Sequence, residues 1–200
     1  GVNNINLVTP THFSSAISAA LSIYRPSIPV VYNCGGYESV DTLKALEGKI
    51  QIYLPDFKYS DPSLSAAFSA AQDYPQTALS ALKEMYRQVG PCKFGEDGML
   101  KSGMIVRHLV LPGHLKNSYG VIDLFADTFE KGTVLFSLMS QYTPPQDKSL
   151  PFKELNRRIT TFEYNRVYDY MVKKGVDYGF CQERSSAKEE YTPDFDLSGF

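Results

Sequence analysis

The sequence contains no tryptophan, only three cysteines and no strong excess of charge of either sign. Its 20 Lys and Arg residues against 22 Asp and Glu residues give a formal net charge of -2, whereas nucleic acids and anionic membranes require a clustered basic face. No apolar segment approaches the roughly 20 residues that cross a bilayer, and the N-terminus lacks a targeting pattern. We therefore expect no nucleic-acid partner, no membrane association and a cytoplasmic location.

The cysteines, Cys34, Cys92 and Cys181, are odd in number and far apart. They match neither a disulfide framework nor a CxxC metal site, so we interpret them as free thiols of a reducing compartment and predict no metal site within the chain. The chain begins Gly1-Val2-Asn3 without an initiating methionine and enters an apolar segment within a few residues. This start is typical of a fragment or of a processed chain.

The remaining composition is that of a globular protein. Of the 200 residues, 43% are hydrophobic and 21% are charged, which separates the chain from disordered sequences. A domain of this length buries about 70% of its unfolded surface. We expect residues 1–200 to form a single domain.

Short apolar segments rich in β-branched residues alternate with longer segments of helical period. This alternation predicts βα units around a parallel sheet, and hence an α/β fold. Several of the segments are apolar without alternation, which favours strands that are covered on both faces. The predicted strands are residues 5–9, 29–33, 50–54, 105–111, 134–138 and 177–181.

Three helices are marked by their end residues or their periodicity. Asp61 before Pro62 predicts a helix through residue 70. Thr160 and Glu163 form a capping box, which predicts a helix that continues to residue 174. Residues 76–89 have the spacing of an amphipathic helix.

Three other segments interrupt the alternation. Asp97-Gly98 is a turn signal and predicts a β-hairpin insertion at residues 92–103. Residues 139–159 contain three prolines and no period, which predicts a long surface loop. Residues 183–200 are predicted to form an irregular tail.

Polar groups follow most of the predicted strands. In parallel βα folds, reactive groups gather where the strands end. The pattern favours an enzyme over a scaffold, although ordinary surface polarity would also produce it. The segments are Thr9-Pro10-Thr11-His12, Asn33-Cys34-Gly35-Gly36, Asp56-Phe57-Lys58, Gly113-His114 and Gln141-Tyr142.

The fourth long strand carries a cation in an apolar setting. A buried guanidinium is costly without a partner, so Arg107 should meet a carboxylate of the protein, such as Asp56, or one of a ligand. Asp56 and Lys58 are two positions apart, and extended backbone aims both to the same side. They form either part of a ligand site or a local salt bridge. His108 lies on the opposite face from Arg107 and is interpreted as a packing residue.

Four segments resemble a known family. They are residues 4–12 (NINLVTPTH), 31–38 (VYNCGGYE), 52–59 (IYLPDFKY) and 106–114 (VRHLVLPGH). With residues 137–142 and 193–199, they are similar to strand and strand-end motifs of the radical S-adenosylmethionine proteins described as pyruvate formate-lyase-activating. The resemblance covers nearly the whole chain.

The resemblance implies a TIM-barrel-like, partial (β/α) barrel that lacks its first strand, because the first strand here is similar to the second of the family. In that family a CxxxCxxC loop holds a 4Fe-4S cluster, which binds S-adenosyl-L-methionine and cleaves it to a radical that abstracts hydrogen from the substrate. This chain has no CxxxCxxC. The ligands of the cluster are therefore expected upstream, and the chain alone is predicted to be inactive.

The implied partners follow from the same resemblance. They are a glycyl radical enzyme such as pyruvate formate-lyase, or another protein substrate, and a flavodoxin-like or ferredoxin-like electron donor. Asp56 and Lys58 match an Asp-x-Lys element that lies near S-adenosylmethionine and the peptide substrate. Arg107 and Gly113 match a strand that approaches its ribose and methionine portions.

Two positions depart from the family pattern. Asn33 stands where these enzymes often have Asp, and Thr9 to His12 replace a Gly-Gly-Glu element, so Thr9, Thr11 or backbone carbonyls would have to hold the methionine ammonium. No residue is assigned a catalytic role. The residues predicted to bind S-adenosylmethionine are Thr9, Thr11, His12, Asn33, Gly35, Asp56, Lys58, Arg107, Gly113, His114 and Gln141.

Two other functions remain open. Lys58 could form a Schiff base in a metal-independent barrel enzyme if an apolar environment made its amine nucleophilic. A chain that never joins a cluster-binding segment would instead be a non-catalytic protein-interaction module. Because the barrel is expected to lack its first strand, residues 5–9 form an apolar edge strand with unpaired backbone groups. We therefore expect a dimer through this edge.

Overall fold

The computed structural model describes residues 1–145 and 151–181 and has the predicted α/β fold, a partial (β/α) barrel with an open sheet of seven strands. The strands are β1 (Ile5–Val8), β2 (Val30–Cys34), β3 (Ile52–Pro55), β4 (Lys93–Phe94), β5 (Leu100–Leu109), β6 (Leu135–Met139) and β7 (Gly179–Cys181). Their order is β1-β2-β3-β5-β6-β7, with all of these neighbours parallel. The short β4 pairs antiparallel with β5.

Within the described residues, six α-helices connect and cover these strands. They are α1 (Ser14–Ile23), α2 (Val40–Ala45), α3 (Pro62–Ser69), α4 (Tyr74–Val89), α5 (Leu115–Thr128) and α6 (Thr161–Lys173), with short 3-10 helices at Pro10–Phe13 and Lys153–Asn156. The Asp61 side chain caps α3 by accepting from the Ser63 amide at 2.8 Å. Thr160 and Glu163 form the predicted capping box of α6.

The core lies between the central strands and the helices. Tyr32 on β2 and Tyr53 on β3 are fully buried and pack edge to face, with their ring centroids 5.9 Å apart. Met104 and Val106 of β5 and Phe136 of β6 continue this core. Because these strands are covered by helices, their apolar segments need not alternate with polar residues.

Most element boundaries differ from the predictions by one or more residues, and two of the differences have a clear physical reason. α4 begins at Tyr74 rather than at residue 76, because Pro75 fits the first turn of a helix, where its missing N–H has no partner to lose. β5 begins at Leu100 rather than at residue 105, because the second arm of the hairpin continues directly into it. Gly98 has a φ of 72° in the turn between the two arms.

The predicted loop at residues 139–159 is described in part. β6 includes Met139, and the loop contains the 3-10 helix Lys153–Asn156. The Tyr142 hydroxyl donates to the Leu155 carbonyl at 2.8 Å, which ties the two ends of the loop together. The tail predicted at residues 183–200 lies outside the described residues.

In the part of the chain that the structure describes, β1 and β7 form the two edges of the sheet. β1 pairs with β2 on one side, and α1, which follows β1, contains no buried residue. Val8 is 66% exposed and Phe13 is 67% exposed, so this edge presents apolar side chains to solvent. Within the described part of the chain, none of the helices combines the length and the apolar composition that a membrane span requires.

Candidate functional site

Three adjacent strands bring polar side chains together where they end. Asn33 is on β2, Asp56 follows β3 and Arg107 is near the end of β5. The Arg107 Nη2 donates to Asn33 Oδ1 at 2.7 Å and lies 2.8 Å from Asp56 Oδ1. The prediction that Arg107 pairs with a carboxylate of the protein, such as Asp56, is therefore confirmed.

Lys58 and Gly35 lie beside this ion pair. Lys58 Nζ is 3.7 Å from Asp56 Oδ2, and the Lys58 side chain is 46% exposed. A Cβ added to Gly35 would lie 3.9 Å from Lys58 Nζ, so the backbone of the β2 loop approaches the amine. We refer to Asn33, Gly35, Asp56, Lys58 and Arg107 as the strand-end cluster.

The strand-end cluster has more positive than negative charge. Two cations share one carboxylate, because Asn33 is neutral, and the described residues place no second carboxylate in hydrogen-bonding contact with Arg107 or Lys58. Arg107 Nε and Asp56 Oδ1 are buried without a hydrogen bond. The 2.8 Å distance from Asp56 Oδ1 to Arg107 still makes an ion pair, since charge attraction depends on distance more than on angle. Asp56 Oδ1 is thus engaged by Arg107 inside the protein, and the Lys58 amine is the more exposed cation of the cluster.

Tyr74, the first residue of α4, joins the two loops of the cluster. Its hydroxyl accepts from the Lys58 amide at 3.0 Å and lies 3.0 Å from the Gly35 carbonyl and 3.1 Å from the Asp56 carbonyl. Burial raises the pKa of Tyr74 far above its usual range, so the hydroxyl stays neutral. Sequence reasoning missed this residue, because a tyrosine at the start of an amphipathic helix carries no local sign of such contacts.

Glu38 was also missed. It is 2% exposed and accepts from Thr11 Oγ1 at 2.8 Å and from the Tyr32 hydroxyl at 3.4 Å. Thr11, predicted to bind a ligand, therefore already donates its hydroxyl proton within the protein. A carboxylate directly after the Gly35-Gly36 turn was the signal that could have identified Glu38.

Cys34 lies in this same region, and its thiol is buried at the end of β2. Burial and the nearby Glu38 raise the pKa of the Cys34 thiol far above its usual range. The thiolate is the form that binds metals. Across residues 1–145 and 151–181, no group of three His, Cys, Asp or Glu side chains could hold a metal ion.

Gly113 and His114, two more predicted site residues, are held by other elements. The Gly113 amide donates to Glu163 Oε1 of α6 at 2.8 Å, and His114 Nε2 is 3.1 Å from Glu154 Oε1. Arg157 bonds to Glu163 and is the main reason why the pKa of that carboxyl lies well below its usual range. These bonds fasten the end of β5 to α6 and to the loop after β6.

The remaining predicted residues stay apart from the cluster. In the described chain, no side-chain hydrogen bond links Thr9, His12 or Gln141 to it, although the Thr9 amide donates to the Asn33 carbonyl at 2.9 Å. His12 is exposed and Gln141 is half-buried. Whether these residues bind a cofactor stays a prediction.

His108 has the packing role expected from its face of β5. It is fully buried, with Nδ1 2.8 Å from the Phe57 carbonyl and Nε2 2.9 Å from Ser118 Oγ. Burial lowers its pKa from 6.5 to about 4. The ring is therefore neutral near pH 7, and its hydrogen bond with the Phe57 carbonyl supports the segment between Asp56 and Lys58.

The two implied cofactors fit these residues differently. An iron–sulfur cluster requires thiolates that the described residues do not supply. S-adenosylmethionine presents ammonium, carboxylate and ribose hydroxyl groups, and the strand-end cluster offers a carboxylate, an amide and two cations. The 46% exposed side chain of Lys58 and the 20% exposed side chain of Asp56 match such a ligand in chemistry.

Comparisons with known proteins were made at the level of sequence and of fold. No family model matches the chain. An uncharacterised protein of Methanocaldococcus jannaschii is 27% identical over 177 residues, which cover 87% of this chain and 47% of that protein. The chain therefore spans about half the length of this curated relative.

Two solved structures resemble the fold. A domain of pyruvate-formate lyase-activating enzyme from Bacteroides vulgatus superposes with a TM-score of 0.61 at 12% identity, over 90% of this chain and 98% of that domain. SuiB of Streptococcus suis, bound to the precursor peptide SuiA, superposes with a TM-score of 0.56 at 12% identity, over 92% of this chain and 38% of SuiB. The fold is thus a partial (β/α) barrel similar to the barrel domains of these two proteins.

Proposed function

We propose that this chain is the barrel segment of a radical S-adenosylmethionine enzyme that reductively cleaves its cofactor and abstracts hydrogen from a protein substrate. The observation that supports this function best is the convergence of Asn33, Asp56 and Arg107 from three adjacent strands, with Lys58 beside them. Ligands of open parallel sheets bind where strands end. The proposed location is cytoplasmic.

The proposed substrate is a glycyl radical enzyme such as pyruvate formate-lyase. The fold likeness to a domain of a pyruvate-formate lyase-activating enzyme supports this choice. SuiB, another protein of similar fold, was solved with a precursor peptide, which supports a polypeptide substrate more generally. A flavodoxin-like or ferredoxin-like protein is the proposed electron donor, and a 4Fe-4S cluster held by a segment outside this chain is the proposed partner of S-adenosylmethionine.

Each residue of the cluster has a proposed part in binding. When bound, the two cofactors supply the radical chemistry. Asp56 accepts hydrogen bonds from ammonium or hydroxyl groups, and Lys58 and Arg107 attract a carboxylate. Asn33 offers a neutral amide, and Gly35 lets a ligand approach the backbone closely. Because Arg107 pairs with Asp56, the two side chains hold each other in place before a ligand arrives.

The outer residues of the site are proposed to act more weakly. The Gly113 amide is already paired with Glu163, and the Thr11 hydroxyl with Glu38, so each has less to offer a ligand than the cluster has. His114 retains one ring nitrogen beside its contact with Glu154. Thr9, His12 and Gln141 complete the proposed wall of the site.

The Schiff-base alternative has no support from geometry. The Lys58 side chain is 46% exposed and lies 3.7 Å from a carboxylate, so it lacks the apolar surroundings that activate such an amine. A non-catalytic interaction module is the function that would remain if the complete gene product failed to cleave S-adenosylmethionine.

Anaerobic iron–sulfur reconstitution tests the proposal. The 200-residue chain and the complete gene product that contains it are reconstituted in parallel, and bound iron and 5′-deoxyadenosine formed with dithionite are measured. We expect the chain to bind well below one cluster and to form no 5′-deoxyadenosine, and the complete product to do both. About one four-iron cluster per 200-residue chain, or no cleavage by the reconstituted complete product, would contradict the proposal.

Substitutions in the complete gene product test the cluster itself. Arg107→Gln removes a charged partner of Asp56, and we expect 5′-deoxyadenosine formation to fall by at least about tenfold. Lys58→Met should act in the same direction and spares the fold, because Lys58 is half-exposed. Arg87→Gln is the matched control, since Arg87 pairs with Glu84 on α4 and with Glu47 in the turn after α2. Equal activity in the three variants would exclude the cluster as the site.

A further inference from the structure

We infer that Tyr74 is a positioning residue, which sets Asp56 and Lys58 by fastening the loop after β2 to the loop after β3. The inference rests on the proposed function only in that the groups so positioned are the proposed ligand-binding groups. Tyr74 belongs to neither loop, because it is the first residue of α4. Its effect on the cluster is exerted through the backbone.

One oxygen atom makes the connection. The Tyr74 hydroxyl accepts from the Lys58 amide at 3.0 Å, and its single hydrogen is shared between the carbonyls of Gly35 at 3.0 Å and Asp56 at 3.1 Å. Tyr74 is 4% exposed, so water cannot easily replace the hydroxyl. Buried polar groups that lose a partner cost about 1–3 kcal/mol each. The hydroxyl therefore fixes three backbone groups at once.

The ring of Tyr74 is held from two sides. Tyr37 stacks on it with centroids 5.7 Å apart and planes 11° apart, and Tyr59 packs against it edge to face at 5.3 Å. The Tyr37 hydroxyl also donates to Asp73 at 2.6 Å, which fastens the residue before α4. The hydroxyl thus has a fixed position from which it can hold the loops.

The loops meet directly beside this hydroxyl. A Cβ added to Gly36 would lie 1.9 Å from the Asp56 carbonyl oxygen and 3.2 Å from the Tyr74 hydroxyl. The two backbones are therefore in contact, and Tyr74 bonds to both of them at the point of contact. Without the hydroxyl, Lys58 N–H and the two carbonyls would lose the bonds that hold this contact in one arrangement.

Hydrogen exchange in the 200-residue chain tests the inference. Tyr74→Phe keeps the ring and removes the hydroxyl, so the Lys58 amide should exchange about tenfold faster or more, since tenfold corresponds to about 1.4 kcal/mol. The Phe57 amide, which donates to the Arg107 carbonyl at 2.7 Å, should change by less than about twofold. The carbon chemical shift of the Asp56 carboxyl should move as well.

Tyr59→Phe is the matched control. Tyr59 is 7% exposed, belongs to the same aromatic group and bonds to Ser69 Oγ at 2.9 Å, away from both loops. We expect unchanged exchange at Lys58 and an unchanged Asp56 signal. Equal protection of Lys58 in the wild type and Tyr74→Phe would overturn the inference. So would acceleration of Lys58 and Phe57 by the same factor, which would show general loosening.

A second variant carries the test if Tyr74→Phe does not fold. Tyr37→Ala removes an exposed ring that stacks on Tyr74, and it should accelerate exchange at Lys58 but not at Phe57. Unchanged exchange at Lys58 in this variant would also overturn the inference. Because these measurements need neither S-adenosylmethionine nor an iron–sulfur cluster, their failure and that of the proposed function are separate results.

Discussion

Arg107 and His108 are adjacent on β5 and lie on opposite faces of the strand, with opposite electrostatic outcomes. Arg107 forms an ion pair with Asp56 at 2.8 Å, whereas His108 is buried without an acidic partner, and burial lowers the pKa of its ring. The alternation of side chains along a strand is enough to separate them. One residue belongs to the strand-end cluster and the other supports it.

The burial of His108 should make stability depend on pH. Folding lowers the pKa of His108 from 6.5 to about 4. Between these two pH values, the ring is protonated in the unfolded chain and neutral in the folded chain. The stabilising contribution is complete above about pH 6.5 and is lost below it. We expect the free energy of unfolding to fall by about 2 kcal/mol between pH 7 and pH 5 from this residue.

Urea unfolding of His108→Gln at the two pH values checks this expectation. The variant should be less stable at pH 7 but should have a flatter profile, since the titrating group is gone. His12→Gln is the control, because His12 is exposed, and it should keep the wild-type slope. A wild-type slope in His108→Gln would show that another group causes the pH dependence.

At the scale of elements, the cap of α6 has effects beyond the helix. Thr160 accepts from the Glu163 amide, and Glu163 in turn accepts from Thr160, from Arg157 and from the Gly113 amide. The start of α6 is therefore bonded to the turn after β5. A local capping motif here also fixes the end of a strand that carries Arg107.

Removal of this cap should lower stability measurably. Thr160→Ala loses the side-chain oxygen that accepts from the Glu163 amide, and we expect a loss of about 1 kcal/mol in the free energy of unfolding. Thr160→Ser keeps the hydroxyl and should stay close to the wild type. Chemical denaturation of the three proteins distinguishes them, and equal stability of Thr160→Ala and Thr160→Ser would argue against the cap.

The sequence predicts elements better than contacts between them. The parallel strands, α3 and α6 could be predicted because apolar segments and capping residues are local signals. The start of β5 could not be predicted, because nothing local shows that the hairpin arm runs on into the strand. Tyr74 was missed for a related reason, and so was the bond from the Gly113 amide to Glu163, since each connects residues distant in sequence.

At the scale of the whole molecule, the edge strand β1 is an exposed apolar surface. Among the described residues β1 pairs only with β2, and Val8 and Phe13 beside it are about two-thirds exposed. Edge strands with unpaired backbone groups and apolar side chains associate readily. We therefore expect the 200-residue chain to form a dimer through β1.

Sedimentation velocity over a range of protein concentrations measures this association. Val8→Lys places a charge on the edge and should shift the chain towards the monomer. Val172→Lys adds the same charge to another half-exposed apolar position, on α6, and should leave association unchanged. A wild-type chain that stays monomeric at every concentration would contradict the prediction.

The meeting of backbones at Gly36 limits how a site of this design can be altered. Any side chain at position 36 would overlap the Asp56 carbonyl, so a substitution there cannot be used to change the distance between the two loops. Position 35 is different, because a methyl group there would meet only the end of Lys58 at 3.9 Å. A change in the size of the proposed ligand would therefore have to begin at residue 35 or at the side chain of Asn33. The distance between the two loops at residue 36 would stay the same.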